Sequence, residues 1–321
     1  MYARLDYLKN KESRKEFSQN VFHQGTRKFK VLGQGSYGCA IFPALLFSSS
    51  KIINQSNRGF YVTKLIYNDD TEYDVAKSIE DLAGTDVGIF PVDSLECGIK
   101  LNDLNITDSN KRLLLKCTHK SLAGQYLNQT YKSFFEDTSY KRLYHDYQGR
   151  ISGGAQLCAI QYPKYYKSLL EVKERDYTQE EIEFIFSSAV EKMNKLHDKY
   201  IYHCDIKPAN MCMLDRLDVR FADFGMSHVV RTNKDLKEAV RLMFLYKKYY
   251  KDLIVVYSGS QNLTRLFDYG YARMNHYYNQ KNETGMLTAL TAIDTMCLLS
   301  AIIQIFPSLR PSMNYSLLEN F

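Results

Sequence analysis

The 321-residue chain contains no tryptophan, no CxxC pair, no internal repeat and no unbroken apolar run of 18 residues. Without an apolar run of that length, no segment is expected to cross a membrane. The amino-terminal stretch MYARLDYLKNKESRKEF lacks an apolar core and does not read as a secretory signal. The seven cysteines (39, 97, 117, 158, 204, 212 and 297) are odd in number and scattered. That usage argues for reduced thiols inside a cell rather than a disulfide framework. The net charge of +6 is mild, and solubility accounts for it as well as nucleic-acid binding does. What is present is ordinary globular composition rich in tyrosine (26), with enough chain for two lobes and a large core.

Residues 1–24 are polar and charged, and read as a short helix or loose arm. From Thr26, FKVLGQGSYGCAIF reads as strand, glycine-rich turn, strand. A polar loop from Ser48 to Arg58 precedes a third strand over Phe60–Ile66. Asp69 or Asp70 can cap a helix through Val75, Ala76, Ile79 and Leu82, with Gly84 as its stop. Gly88–Val92 reads as another strand, and about 100–152 as a polar insertion. Ala155–Tyr162 is a strand, and Thr178–Lys199 a helix with apolar residues at three- and four-residue steps. The basic, aromatic stretch 230–287 shows no strand signals, and Leu287–Phe306 is an apolar helix.

The most specific signal is His203-Cys204-Asp205-Ile206-Lys207-Pro208-Ala209-Asn210, followed by Asp223-Phe224-Gly225. Phosphoryl transfer needs a carboxylate to orient the hydroxyl nucleophile, oxygen ligands for magnesium, and cations on the phosphates. This segment supplies all three. The spacing resembles that of protein kinases, H-x-D-x-K-x-x-N followed by D-F-G. The resemblance implies an α+β, bilobal protein-kinase fold, with a small, mainly β amino lobe bearing one helix and a mainly helical carboxy lobe. It divides the chain into an arm (1–24), an amino lobe (25–162, with the insertion at about 100–152) and a carboxy lobe (163–321), shortened after Asp294.

On this resemblance Asp205 accepts or orients the acceptor's proton, and Lys207 neutralises the migrating phosphoryl group. Asn210 and Asp223 bind magnesium, for which manganese can substitute. His203 packs under the loop. Gly33, Gly35 and Gly38 would cradle the phosphates of ATP; three glycines alone would equally fit a tight hairpin. Lys64 would bind phosphates, although a surface strand lysine is its ordinary alternative. Glu72 or Glu80 would pair with it. Glu72 leads, because four residues beyond it stands Ala76, which can pack, whereas four beyond Glu80 stands Gly84. Counting back from Asp205 places the connector between lobes at Ala159–Pro163. Ile160 would then be the gatekeeper, the Gln161 carbonyl would accept from adenine, and Pro163 would offer no N–H. Ala40, Val62 and Cys212 would sandwich the ring.

Lys207 resembles serine/threonine kinases, and Met226 after the D-F-G accompanies serine preference in the family. The implied activity is transfer of the γ-phosphoryl of Mg-ATP to a protein serine or threonine. The alternatives are a pseudokinase platform and a small-molecule phosphotransferase, the latter typically lacking a lysine at the position of Lys207. Departures from the family are Cys204 for the usual arginine, the insertion, the missing A-P-E, and the distance from Asp223 to Asp294, which would anchor the catalytic loop. GQGSYGCAIFPA is similar to compact kinases of large DNA viruses, which implies a cytoplasmic setting in a host cell, or a virion. Lys237–Lys251 could dock an acidic substrate, nucleic acid or membrane, but a solvated amphipathic helix is the commoner reading.

Overall fold

The computed structural model describes residues 22–23, 30–34, 38–47, 49–67, 70–93, 95–99, 104–105 and 157–309. Nearly all of the arm, Gly35, and the insertion apart from 104–105 lie outside these residues. The chain divides into two compact units, residues 1–73 with 91–164, and residues 74–90 with 165–321.

The first unit is built on an antiparallel sheet. Phe22–His23 (β1) stands apart from it, paired in parallel with Leu104–Asn105 (β6). The sheet contains Lys30–Gln34 (β2), Gly38–Phe42 (β3), Tyr61–Tyr67 (β4), Glu96–Ile99 (β5) and Leu157–Pro163 (β7), in the order β2-β3-β4-β7-β5. Side chains of β4 alternate between faces. Thr63 is buried, with its hydroxyl accepting the Leu45 N–H at 2.9 Å. Gln161, opposite it on β7, donates from its side chain to the Leu45 carbonyl. The apolar segment that follows β3 is thereby tied to the sheet.

Directly opposed residues on antiparallel strands bring their side chains together. Cys97 on β5 faces Cys158 on β7, and the two form a disulfide with a Cα–Cα distance of 4.0 Å. Cys39 is also disulfide-bonded. The expectation of uniformly reduced thiols is thus corrected; Cys204, Cys212 and Cys297 are free and buried. Even spacing along the chain says nothing of which strands lie side by side.

Helix Asp70–Ala83 (α1) starts in the first unit and, from Asp74, packs its Ala76 and Ile79 into the core of the second. Gly84 ends it with a positive φ of 89°, where a side chain would be strained. Residues 88–92, expected as a strand, are not one. Gly88 makes a single isolated bridge to Phe221, and a Cβ there would meet the Phe224 ring at 2.7 Å. This glycine serves close packing rather than sheet pairing.

In the second unit, Lys167–Ser168 (β8), Met211–Met213 (β10) and Val219–Phe221 (β11) form one small sheet. Ile201–Tyr202 (β9) and His228–Val229 (β12) form another. Helix Gln179–His197 (α2) begins at a capping box, in which Thr178 and Glu181 satisfy each other's backbone N–H groups. The stretch 230–287 folds mostly into three helices, Asn233–Leu245 (α3), Lys247–Ser258 (α4) and Gln261–Asn279 (α5). Thr232 caps α3 and Ser260 caps α5. The basic run Lys237–Lys251 is therefore not a free surface helix. Its apolar face, with Ala239, Val240, Met243 and Tyr250, is core.

Helix Glu283–Ile305 (α6) is the axis of this unit and packs against α3, α4 and α5. It is long and apolar enough to cross a membrane although polar residues interrupt its apolar sequence. Its surface is mostly buried by protein. An apolar helix buried over most of its surface is the expected centre of a core.

Candidate active site

In the first unit, Lys64 lies on β4 opposite Ile160, so both side chains project from the same face of the sheet. Its Nζ donates to both carboxylate oxygens of Glu72, at 2.7 and 2.8 Å. Tyr162, two residues beyond Ile160 on that face, donates its hydroxyl to Glu72 Oε1 at 2.9 Å. Glu72 is buried, at 3% exposure. Of the two candidates, Glu72 meets Lys64; Glu80 pairs instead with Lys77 on its own helix. Tyr162 was not foreseen, because an aromatic residue two beyond a strand's centre carries no distinguishing signal.

Gly33 pairs opposite Ala40, and Gly38 opens β3. Ala40 is the register partner of Lys64, and Val62 that of Tyr162. The expected connector is corrected. Ala159–Pro163 forms the body of β7, paired with β4 from Tyr61↔Pro163 onward, and the first unit continues through Lys164. The Gln161 carbonyl, expected to face adenine, accepts the Val92 N–H at 2.9 Å. The backbone of this segment is committed within the first unit, to β4 along the strand and to Val92 at the Gln161 carbonyl.

In the second unit, the catalytic-type loop follows β9 and is held from several sides. Asp294, at 1% exposure in the middle of α6, accepts the N–H of His203 at 2.7 Å and of Cys204 at 2.9 Å. The residue expected to anchor the loop does contact it. His203 is fully buried; its ring lies 4.9 Å from that of Phe224 and bonds to the Ala222 carbonyl at 3.1 Å. Cys204 has a positive φ of 60°, unusual for a residue with a Cβ. Its carbonyl accepts the Tyr250 hydroxyl at 2.8 Å, so both of its backbone polar groups are fixed. Burial pushes the Cys204 thiol up, and the charge of Asp294 adds to the effect.

Asp205 is 5% exposed, and its carboxylate is surrounded by donors. Asn210 Nδ2 reaches Oδ2 at 2.8 Å and the Asp205 carbonyl at 2.9 Å. Lys207 Nζ lies 2.9 Å from Oδ2 and 3.1 Å from Oδ1. Tyr249, on α4, donates to Oδ1 at 2.5 Å and accepts from Lys207 at 3.2 Å. Asp223 follows β11 with a positive φ of 63°, and Ala222 N–H bonds the Asn210 carbonyl at 2.8 Å. Cys212, expected against adenine, lies on β10 within the charge field of Asp223. Burial first, and that charge second, push its thiol up to about 12.

A magnesium ion fits these residues. Asn210 commits its amide nitrogen to Asp205, which leaves its amide oxygen to serve as a ligand. Magnesium bound with substrate phosphates takes only one or two protein carboxylates and keeps several waters. The pair Asn210 and Asp223 is sufficient on that count. Among the described residues there is no cluster of three or more His, Cys, Asp or Glu side chains that could hold a metal by itself.

The protein kinase domain family matches residues 130–250 of the chain. Mitogen-activated protein kinase pmk-3 of Caenorhabditis elegans is 27% identical over 109 residues, 32% of this chain and 22% of that protein. Mitogen-activated protein kinase kinase 8 of Arabidopsis thaliana is 38% identical over 56 residues, 17% of this chain and 18% of that protein. Serine/threonine-protein kinase pakG of Dictyostelium discoideum is 36% identical over 61 residues, 19% of this chain and 5% of that protein. The chain thus spans 22% or less of each of these relatives. With the matched domain, a β-sheet unit and a mostly helical unit, the fold is α+β and of the bilobal protein-kinase type.

Proposed function

We propose that the chain is a protein serine/threonine kinase that transfers the γ-phosphoryl group of Mg-ATP to a protein hydroxyl, with serine preferred. The observation that carries this reading is the single loop in which Asn210 and Lys207 converge on the carboxylate of Asp205. In the transfer, the acceptor oxygen bonds to the γ-phosphorus, the bond to the ADP oxygen breaks, and the acceptor's proton passes to Asp205. Lys207 offsets the charge on the migrating group. Asn210 and Asp223 would hold magnesium, whose role is to neutralise the phosphates. Lys64, oriented by Glu72, would hold the non-transferred phosphates. The glycines between β2 and β3 would approach the phosphates through their backbone N–H groups.

The assembled Lys64–Glu72 pair supports an active enzyme over a binding platform. Lys207 supports a protein acceptor over a small molecule, by its likeness to serine/threonine kinases. Serine preference rests on Met226. The test is incubation of the full chain with labelled ATP, magnesium or manganese, and basic and acidic generic protein substrates, followed by acid hydrolysis. Phosphoserine exceeding phosphothreonine is expected. Label only on small molecules, or none, would contradict the proposal.

A further inference from the structure

An ionised carboxylate offers about four lone-pair positions. In Asp205 all four are occupied, Oδ1 by Tyr249 and Lys207, Oδ2 by Asn210 and Lys207. An acceptor hydroxyl must bond to this carboxylate to give up its proton, so one partner has to leave. Three lines of geometry identify which. Asn210 is buried and doubly tied to Asp205, through its carbonyl as well as its carboxylate. Tyr249 is carried on α4 next to Tyr250, whose ring meets its own edge-on at 5.6 Å. Tyr250 is 2% exposed and bonded to the carbonyl of Cys204, the residue preceding Asp205. The phenol of Tyr249 is therefore delivered by a core helix bolted to the catalytic loop, not by a loose segment. Lys207 has a partly exposed side chain, and its polar partners are Asp205 and the Tyr249 hydroxyl. A flexible ammonium group moves readily to a phosphoryl group.

We infer that Tyr249 is a positioning residue for phosphoryl transfer: with Asn210 it pins the Asp205 carboxylate in one orientation, while Lys207 is the partner that leaves. When Lys207 turns to phosphate, one position opens on each oxygen. Tyr249 and Asn210 still hold one each, and the open positions keep a fixed direction toward the acceptor. Tyr249 acts through Asp205 and does not itself touch the reacting atoms. It lies in the helical stretch between Asp223 and Asp294, where the sequence departs from the kinase pattern.

The inference rests on the kinase reading. Its test is steady-state transfer to a generic protein substrate by the full-length wild type, Tyr249→Phe, and Tyr249→p-aminophenylalanine, which restores an N–H donor at the ring's end. For Tyr249→Phe we expect kcat to fall about 10- to 100-fold, by analogy with the loss of an outer partner that orients a metal ligand. KM for Mg-ATP should stay within about twofold of wild type, since ground-state binding of the nucleotide is untouched. The donor-restoring variant should recover most of kcat. If Tyr249→Phe melts early, Tyr249→Met, which also lacks the hydroxyl, carries the same comparison. An unchanged or raised kcat would overturn the inference, the latter by making the phenol a block on the acceptor position. Equal losses in both ring variants would also overturn it, by reducing Tyr249 to packing. An inactive wild type that still binds Mg-ATP would instead remove the kinase reading and the inference with it.

Discussion

Lys64 and Glu72 are eight residues apart, a separation short enough that the end of β4 and the first turn of α1 alone bring them together. Glu72 is also held by Tyr162, so two donor side chains share one buried carboxylate. Removing the cation leaves a buried carboxylate without its main compensation, which costs about 3 kcal/mol or somewhat more. Lys64→Met should therefore lower both the stability of the chain and kcat/KM, the latter about 100- to 1000-fold, as for loss of an electrostatic group at a transfer site. Adding Glu72→Leu should restore most of the stability and none of the activity. Urea titration and transfer kinetics on the same three proteins check this; a double variant as unstable as Lys64→Met would contradict it. The pairing itself was legible from Ala76 against Gly84, because helix packing depends on residues four apart. Tyr162 and Tyr249 were not legible, since each contact depends on strands or helices that meet only in three dimensions.

At the scale of elements, α6 places Asp294 under the catalytic loop, where it accepts two backbone N–H groups. Asp294→Ala would orphan both in a buried setting, at about 1–3 kcal/mol each. The urea midpoint should drop accordingly, and transfer should fall with it because His203 and Cys204, which lead into Asp205, lose their support. Asp294→Asn keeps one acceptor oxygen and should lose about half as much. Equal midpoints for wild type and Asp294→Ala would contradict this account. Asp294 was readable in the sequence through the resemblance of residues 292–298 to the buried helix of a kinase carboxy lobe. The three helices α3, α4 and α5 were not, because their aromatic and basic residues give no period-2 signal and have no counterpart in the pattern the chain resembles. The strand expected at Gly88 failed for a comparable reason: the glycine there makes room for the Phe224 ring.

At the scale of the whole molecule, several ionisable groups are buried in neutral form. Burial is the main cause that pushes Tyr165, Tyr202 and Cys212 up to about 12. A folded-state value above the unfolded one means that the contribution to stability is complete below the unfolded value. It is lost as pH rises toward the folded one. The unfolded values are 10.0 for the tyrosines and 9.0 for the cysteine. Thermal melts should thus show Tm nearly constant from about pH 7 to 8.5 and then falling progressively from about pH 9 toward 12. A Tm that holds through pH 11 would contradict the burial of these groups. The resemblance implied a mainly β part followed by a mainly helical part, and the described residues form a sheet unit and a helical unit. The disulfide between Cys97 and Cys158 was not, because their strand register cannot be counted from spacing.

The central claim is that Asp205, Asn210 and Asp223 form a working phosphoryl-transfer site. Its most direct measurement is single-turnover release of labelled γ-phosphate from Mg-ATP to protein, wild type beside Asp223→Ala, with Tm recorded for both. The account predicts transfer by the wild type and a loss of at least about 100-fold in Asp223→Ala, with a cooperative melt retained by both proteins. Equal rates in the two proteins would contradict it.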